Sequence, residues 1–206
     1  MLEKDKLTEE KIFESATLVF LEKGMDGARM RDIAERAGIN KSLLHYYYRS
    51  KDRLFDAVFD KLAGIIFSRF APIFDAGLTL DDKIRFFFRE HISFLQKNPA
   101  LPSFILNELN RNPARIRKLI QKIDIESLWT TLEEQHRNEF EKYKLTRDMM
   151  PQLMTSIAAM SIFPFAARTL VAAILEKLGY GFDGYLEERK EFAAEFVINS
   201  LKKGGE

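Results

Sequence analysis

The chain has no cysteine, one tryptophan and three histidines among its 206 residues. The absence of cysteine excludes disulfide scaffolds, thiol nucleophiles, thiolate metal sites and iron–sulfur clusters. His45, His91 and His136 never stand three or four residues apart, so no helix presents the two-histidine arrangement that binds zinc. No local Ser, His and Asp arrangement points to catalysis. We therefore expect no enzyme, no metal site and no cofactor.

The chain also lacks an excess of charge of one sign, since it has 32 Lys and Arg and 31 Asp and Glu, which gives a formal net charge of +1. Any affinity for nucleic acid must therefore come from a local surface. The first residues, Met1 to Lys6, alternate in charge and lack the apolar core of a secretory signal. From this we expect a cytoplasmic protein.

One apolar run is long enough to raise the question of a membrane. It extends from Met149 to Ala167 without a charged residue. The run contains two prolines, Gln152 and several small or hydroxyl residues, which favour close packing between helices. We expect a buried central helix and no membrane partner.

Strand signals are nearly absent, and helical periodicity predicts an all-α fold. Thr8 is a candidate N-cap for a first helix that ends at Gly24. The next helices are predicted at Met30 to Ala37, closed by Gly38, and at Lys41 to Tyr47, capped by Asn40. A fourth begins after Ser50.

Pro72 and Gly77 interrupt the helical pattern, which predicts an N-terminal domain at 7–70 and a larger C-terminal domain at 71–206. The helices expected in the larger domain are Leu80 to Lys97, Leu101 to Asn110, Pro113 to Tyr143, Met149 to Leu178 and Asp183 to Lys202. Gly179 to Gly184 spells GxGxxG, but a helix precedes it where a dinucleotide site needs a strand.

The most informative segment is Arg29 to Arg53, which reads as a short helix, a turn with Gly38, and a second short helix. This layout is a helix-turn-helix, whose second helix enters the DNA major groove. The segment holds seven basic and three acidic residues, a net charge of +4, whereas the first sixty residues together carry −1. Positive charge is thus concentrated where DNA phosphates would lie.

These residues resemble the N-terminal domain of the TetR family of bacterial transcriptional regulators. The residues that carry the resemblance are Ile12 with Ala16 and Phe20, Gly24, Arg31 to Ala34, Ala37 to Lys41, Tyr47 with Tyr48, and Ser50 to Leu54. The resemblance implies an all-α homodimer in which each subunit has a three-helix DNA-binding head and a helical body that binds an inducer. Repression is the usual behaviour that it implies.

The candidate DNA contacts lie on or beside the second helix of the motif. They are Arg29, Arg31, Lys41, Ser42, Leu43, His45, Tyr46, Tyr47 and Lys51. Leu43 suits a thymine methyl group and Tyr46 a base or a phosphate. Lys51 begins the next helix, where a backbone N–H and an ammonium can share one phosphate. Leu44 and Tyr48 are expected to pack inside the head.

Eighteen phenylalanines are unusual for this length, and most of them must form ordinary core. A subset is expected to line an apolar ligand cavity with a few polar anchors. The candidate ligand-binding residues are Phe88, His91, Phe104, Asn107, Trp129, Met154, Phe163 and Arg168.

The sequence therefore favours a ligand-responsive dimeric regulator, expected to be a repressor that binds a near-palindromic double-stranded DNA operator. A small, mostly apolar inducer would release it, and the homodimer would form through the last two predicted helices. The alternative is a helical carrier of small molecules or lipids without DNA function. A carrier would use the Phe-rich body but would leave the +4 segment unexplained.

Overall fold

A computed structural model of the chain describes residues 2–70, 73, 77–121 and 124–205. All regular secondary structure in these residues is helical, as the sequence predicts. The chain divides into two compact units, Met1–Ser68 with Asn107–Pro113, and Arg69–Leu106 with Ala114–Glu206. Pro72, at which the sequence pattern breaks, lies outside the described residues.

The first unit, called the head below, contains four helices. They are α1 (Leu2–Gly27), α2 (Met30–Ala37), α3 (Lys41–Tyr47) and α4 (Lys51–Phe70). The bounds of α2 and α3 confirm the prediction, and Gly24 interrupts α1 with a φ of 66°. The prediction that Thr8 caps the first helix is wrong, because α1 begins at Leu2 and continues through Thr8.

The head has an apolar core to which α1, α2, α3 and α4 all contribute. Ile12 and Phe20 from α1, Ile33 from α2 and Leu44 from α3 are completely buried together with Phe55 of α4. The rings of Phe20 and Phe55 meet edge to face with centroids 4.9 Å apart. Each such side chain contributes roughly 1.5–3 kcal/mol through burial, so even the short helices α2 and α3 are fixed by tertiary packing.

The second unit, called the body below, is built from α5 onward. Its helices are α5 (Leu80–Lys97), α6 (Leu101–Arg111), α7 (Pro113–Gln121), α8 (Ile125–Gln135), α9 (Arg137–Lys142), α10 (Met150–Ala166), α11 (Arg168–Lys177) and α12 (Phe182–Gly205). Helix α12 packs mainly on α5, and α10 packs on both. The C-terminal end of α6, from Asn107, belongs to the head.

The single helix predicted at Pro113 to Tyr143 is wrong, because three helices occupy this stretch. Asp124 starts α8 by accepting a hydrogen bond from the Ser127 N–H at 3.0 Å. At His136 the backbone leaves the helical region, with φ −122° and ψ 28°, and α9 begins. The helical periodicity continues across both breaks, so it did not reveal them.

The single helix predicted at Met149 to Leu178 is also wrong, since α10 ends at Ala166 and α11 starts at Arg168. Pro164 has no N–H and so cannot bond the carbonyl of Met160 one turn earlier. The Arg189 Nε of α12 donates to that carbonyl instead, at 3.2 Å. Three residues after Pro164 the backbone turns out of the helix at Ala167.

The expectation that α10 is a buried central helix is wrong for the single chain. The segment Arg147–Ala166 has the length and the apolar composition of a helix that could cross a membrane. Only 17% of its most apolar 18-residue stretch is buried. Ser161, Pro164 and Phe165 are buried, whereas Met154 and Phe163 are 52% and 56% exposed. Much of the apolar surface of α10 therefore remains uncovered in one copy.

The end of α9 carries a backbone conformation that favours glycine. Lys144 has a φ of 51°, and the Leu145 N–H donates to the Phe140 carbonyl at 2.9 Å, as in a helix terminus that normally ends in glycine. A side chain at this position costs about 1–2 kcal/mol relative to the right-handed conformation.

We expect Lys144→Gly to raise the free energy of unfolding by about 0.5–1 kcal/mol, because relief of this strain exceeds the entropy that glycine adds to the unfolded chain. Urea unfolding followed by circular dichroism measures the change. Lys144→Ala removes the same charge but keeps Cβ, and it should give no such gain. Equal stabilisation by both variants would contradict the backbone explanation.

Helix α10 is fixed to α5 by a polar contact inside an apolar layer. The His91 Nδ1 lies 2.9 Å from the Ser161 Oγ, and that hydroxyl is also 3.0 Å from the carbonyls of Ile157 and Ala158. Ser161 is completely buried. Burial lowers the pKa of His91 from 6.5 to about 4, because the charged imidazolium would lose its hydration.

Between these two pH values the unfolded chain binds a proton at His91 that the folded chain does not. Stability must therefore fall as the pH drops from about 6.5 towards about 4. We expect His91→Gln to lose part of this dependence, so that the wild type loses roughly 2 kcal/mol more than the variant on going from neutral to moderately acidic pH. Thermal unfolding at several pH values measures it, and parallel curves for both proteins would contradict it.

Candidate DNA interface

The corner between α2 and α3 depends on one glycine. Gly38 takes the left-handed conformation, with φ 66° and ψ 31°. Its N–H donates to the Glu35 carbonyl at 3.2 Å, and the Ile39 N–H donates to the Ala34 carbonyl at 3.0 Å. These two bonds satisfy carbonyls that the end of α2 would otherwise leave open, and they turn the chain into α3.

Helix α3 is fixed at its start and along one side. The Asn40 Oδ1 accepts a hydrogen bond from the Leu43 N–H at 2.7 Å, which is the predicted cap. Leu44 is completely buried and holds the helix against the head core, as expected from the sequence. Because a seven-residue helix is unstable alone, these two contacts decide where its outer face points.

The outer face of α3 presents five of the candidate DNA contacts. Lys41, Ser42, Leu43, His45 and Tyr46 are all exposed. Tyr46 is 80% exposed, which is unusual for an aromatic side chain, and Leu43 is 37% exposed. This face combines a cation, hydroxyl groups and apolar surface, which suits both phosphates and base edges.

Tyr47 is placed differently from its neighbours on α3. It is partly buried, and its hydroxyl donates to the Asp5 Oδ1 of α1 at 3.1 Å. Its ring meets that of Tyr46 at nearly a right angle, with centroids 5.6 Å apart. The hydroxyl thus points to α1 in the free protein.

The charges of α2 divide into two groups. The Nη1 of Arg36 lies 2.8 and 2.9 Å from the two carboxylate oxygens of Glu22, and Asp32 pairs with Lys23 at 2.5 Å, so both ion pairs connect α2 to α1. Arg29 is exposed just before α2, with no capping hydrogen bond from its side chain. Arg31 is exposed and lies 3.4 Å from Glu35 on its own helix.

Lys51, expected to bind a phosphate, has a structural contact in the free head. Its Nζ lies 3.1 Å from the Ala28 carbonyl and 3.4 Å from the Asp26 carbonyl, at the end of α1. An ammonium at these carbonyls complements the negative end of the helix. An ammonium has three N–H donors, so Lys51 can keep both carbonyl contacts and donate its third hydrogen to a phosphate.

Arg49 was not among the candidate contacts, although it belongs to the +4 segment. It is exposed on the loop between α3 and α4. The local charge count includes Arg49, but a charge count cannot tell an exposed loop cation such as Arg49 from a cation that is paired with α1, such as Arg36.

The structure does not bring the eight candidate ligand residues into one cavity. Phe88, Phe104 and Trp129 are buried in the body, and His91 contacts Ser161. Met154, Phe163 and Arg168 are exposed, with the Arg168 guanidinium 4.5 Å from the Phe182 ring. Asn107 is exposed and belongs to the head.

Trp129 is nevertheless unusual among these residues. Its ring packs on Phe140 with centroids 4.9 Å apart. Its Nε1–H is buried and has no hydrogen-bond partner among the described residues, and the same holds for the Nε2 of His136. Buried polar atoms without partners cost about 1–3 kcal/mol each, so such positions are candidates for contact with a ligand or water.

Comparison with known proteins places the head in a family. The family model described as "Bacterial regulatory proteins, tetR family" matches residues 12–58, which run from α1 into α4. The HTH-type transcriptional repressor SCO4008 of Streptomyces coelicolor is 43% identical over 54 residues, covering 26% of this chain and 28% of that protein. The chain thus matches only about a quarter of this curated relative's length.

Solved structures extend the likeness of fold to the body. A TetR-like transcriptional regulator from Rhodococcus sp. RHA1 matches with a TM-score of 0.61 and 22% identity, covering 93% of this chain and 96% of that one. FadR from Bacillus subtilis, crystallised with stearoyl-CoA, matches with a TM-score of 0.65 and 16% identity, covering 90% and 97%.

The family model matches the helices that form the head, and the solved regulators share the fold over nearly the whole chain. The left-handed Gly38, the capped α3 and the buried Leu44 are the features that build its helix-turn-helix. Residues 12–58 thus carry the DNA-binding domain of the tetR family of bacterial regulatory proteins.

Proposed function

We propose that the chain is a dimeric, ligand-responsive repressor that reads a near-palindromic operator with α3. The observation that carries the proposal is the division of α3 into a buried side, at Leu44, and an exposed side with a cation, hydroxyls and apolar groups. A carrier without DNA function would have no use for this face.

The proposed division of roles follows from the chemistry of each side chain. Leu43 and Tyr46 read bases, because both expose apolar surface on the outer face of α3. Arg29, Arg31, Lys41 and Lys51 act on phosphates, which fix the register without reading sequence. Ser42 and His45 supply further hydrogen bonds at this surface, and Tyr47 contributes the edge of its ring while its hydroxyl stays bonded to Asp5.

The test of sequence reading uses Leu43→Ala and Tyr46→Ala. Each should cost about 1–3 kcal/mol on the DNA upstream of the chain's own coding region, with little change on a scrambled duplex. Fluorescence anisotropy at fixed salt measures both affinities. Leu18→Ala, which truncates an exposed leucine on α1, is the matched control. Equal losses on both duplexes would show that α3 contributes packing and not base readout.

The proposed dimer uses the last helices of the body. Phe163, Leu170, Ile174, Phe192 and Phe196 are 51% to 60% exposed on α10, α11 and α12. Phe192 and Phe196 stack on one another, with centroids 6.3 Å apart. Leu186, Ala193, Val197 and Leu201 of α12 are buried within the single chain. A second copy about a two-fold axis would cover the exposed surface, with these helices of both copies packed against each other.

Phe196→Glu should therefore give monomers, because a dimer would bury an unpaired carboxylate. Operator affinity should fall steeply although the head is unchanged, since a single head makes half of the contacts. Light scattering and anisotropy measure the two effects. Ile120→Glu introduces the same charge at a 49% exposed residue of α7 and should leave the dimer intact. A folded Phe196→Glu dimer with normal affinity would refute this interface.

The proposed inducer is a small, mostly apolar molecule bound in the body. Of the eight candidates, those on the inner side of the body are Phe88, His91, Phe104 and Trp129, and we assign the pocket to these four. The unpartnered indole N–H of Trp129 supports a ligand that carries a hydrogen-bond acceptor. The inducer must bind the conformation that does not bind DNA more tightly, or it would not release the operator.

A further inference from the structure

The first turns of α1 lie beside the end of the recognition helix α3. The hydroxyl of Tyr47 donates to the Asp5 Oδ1 at 3.1 Å, across 42 positions of the chain, and the Thr8 side chain also bonds to this hydroxyl. Burial is the main cause that raises the pKa of Tyr47, and the bond to Asp5 adds to it. Tyr47 is therefore a protonated donor at neutral pH.

Asp5 has no packing role that requires its charge. It is exposed, and the hydroxyl of Tyr47 would find an equally good acceptor in an amide or in water. The contact instead holds the Asp5 carboxylate against Tyr47. Tyr47 directly follows Tyr46, the most exposed aromatic side chain of α3. Glu9 adds a second negative charge near Tyr47 and Tyr48.

A negative charge at this position opposes DNA. When α3 enters the major groove, the groups at its end lie close to the sugar–phosphate backbone. Phosphate attraction is independent of sequence and supplies most of non-specific binding. A carboxylate fixed beside α3 therefore weakens binding to every duplex, while the base contacts of the outer face are retained.

We propose that Asp5, held by Tyr47 beside the recognition helix, is an electrostatic restraint on DNA binding. Its carboxylate repels DNA phosphates and so keeps the protein from being trapped on unrelated sequences. The proposal rests on the proposed function of α3 in DNA binding. It assigns a role in affinity to the start of α1, outside the helix-turn-helix itself.

The test replaces Asp5 by Asn, which keeps an oxygen acceptor for the Tyr47 hydroxyl and removes only the charge. The expected result is about two- to fivefold tighter binding per head, both on the upstream DNA and on a scrambled duplex. The gain should shrink as salt is raised, because salt screens exposed charges. A structural role for Asp5 would give neither the gain nor its salt dependence.

Two further variants control the experiment. Glu14→Gln removes the same charge from an exposed residue nine positions later, which places it on the opposite side of α1, and it should have the smaller effect. Tyr47→Phe releases Asp5, so the effect of Asp5→Asn should be smaller in that background. Circular dichroism establishes that all variants are folded.

The outcomes separate this inference from the proposed function. Wild-type protein that binds neither duplex would overturn both. Wild-type protein that binds DNA, with Asp5→Asn binding equally well, would overturn the restraint alone. An equal gain from Glu14→Gln would also overturn it, because the effect would then reflect net charge and not the position beside α3.

Discussion

The burial of Leu44 in the head core is the contact on which the rest of the candidate DNA interface depends. Helix α3 has only seven residues, so its orientation must come from tertiary packing. Leu44 supplies that packing, Gly38 supplies the turn that leads to it, and Asn40 closes the first turn. The exposed position of Leu43, His45 and Tyr46 then follows from helix geometry alone.

The head was largely predictable because its signals are local. The turn at Gly38, the cap at Asn40 and the inward position of Leu44 each depend on a few neighbouring residues, and α2 and α3 have the predicted bounds. Contacts between distant residues were not predictable in this way. The bond from Tyr47 to Asp5 and the ties of Arg36 to Glu22 and of Lys51 to the end of α1 depend on the packed helices.

The body shows the limit of periodicity more clearly. Its apolar pattern continues through His136 and Ala167, where the helices break. The break after Pro164 is accompanied by a bond from Arg189 to the freed carbonyl, which no pattern near Pro164 indicates. The same holds for the ligand candidates, since spacing on a helix did not distinguish the buried Phe88 from the exposed Phe163.

We propose that two copies of α3 read two successive major grooves on one side of the DNA. Hydroxyl-radical footprinting of the DNA upstream of the coding region, over a range of protein concentrations, tests this arrangement. We expect two protected patches related by a two-fold axis and separated by about one helical turn, appearing together. Uniform protection, a single patch, or no protection at moderate salt would contradict it.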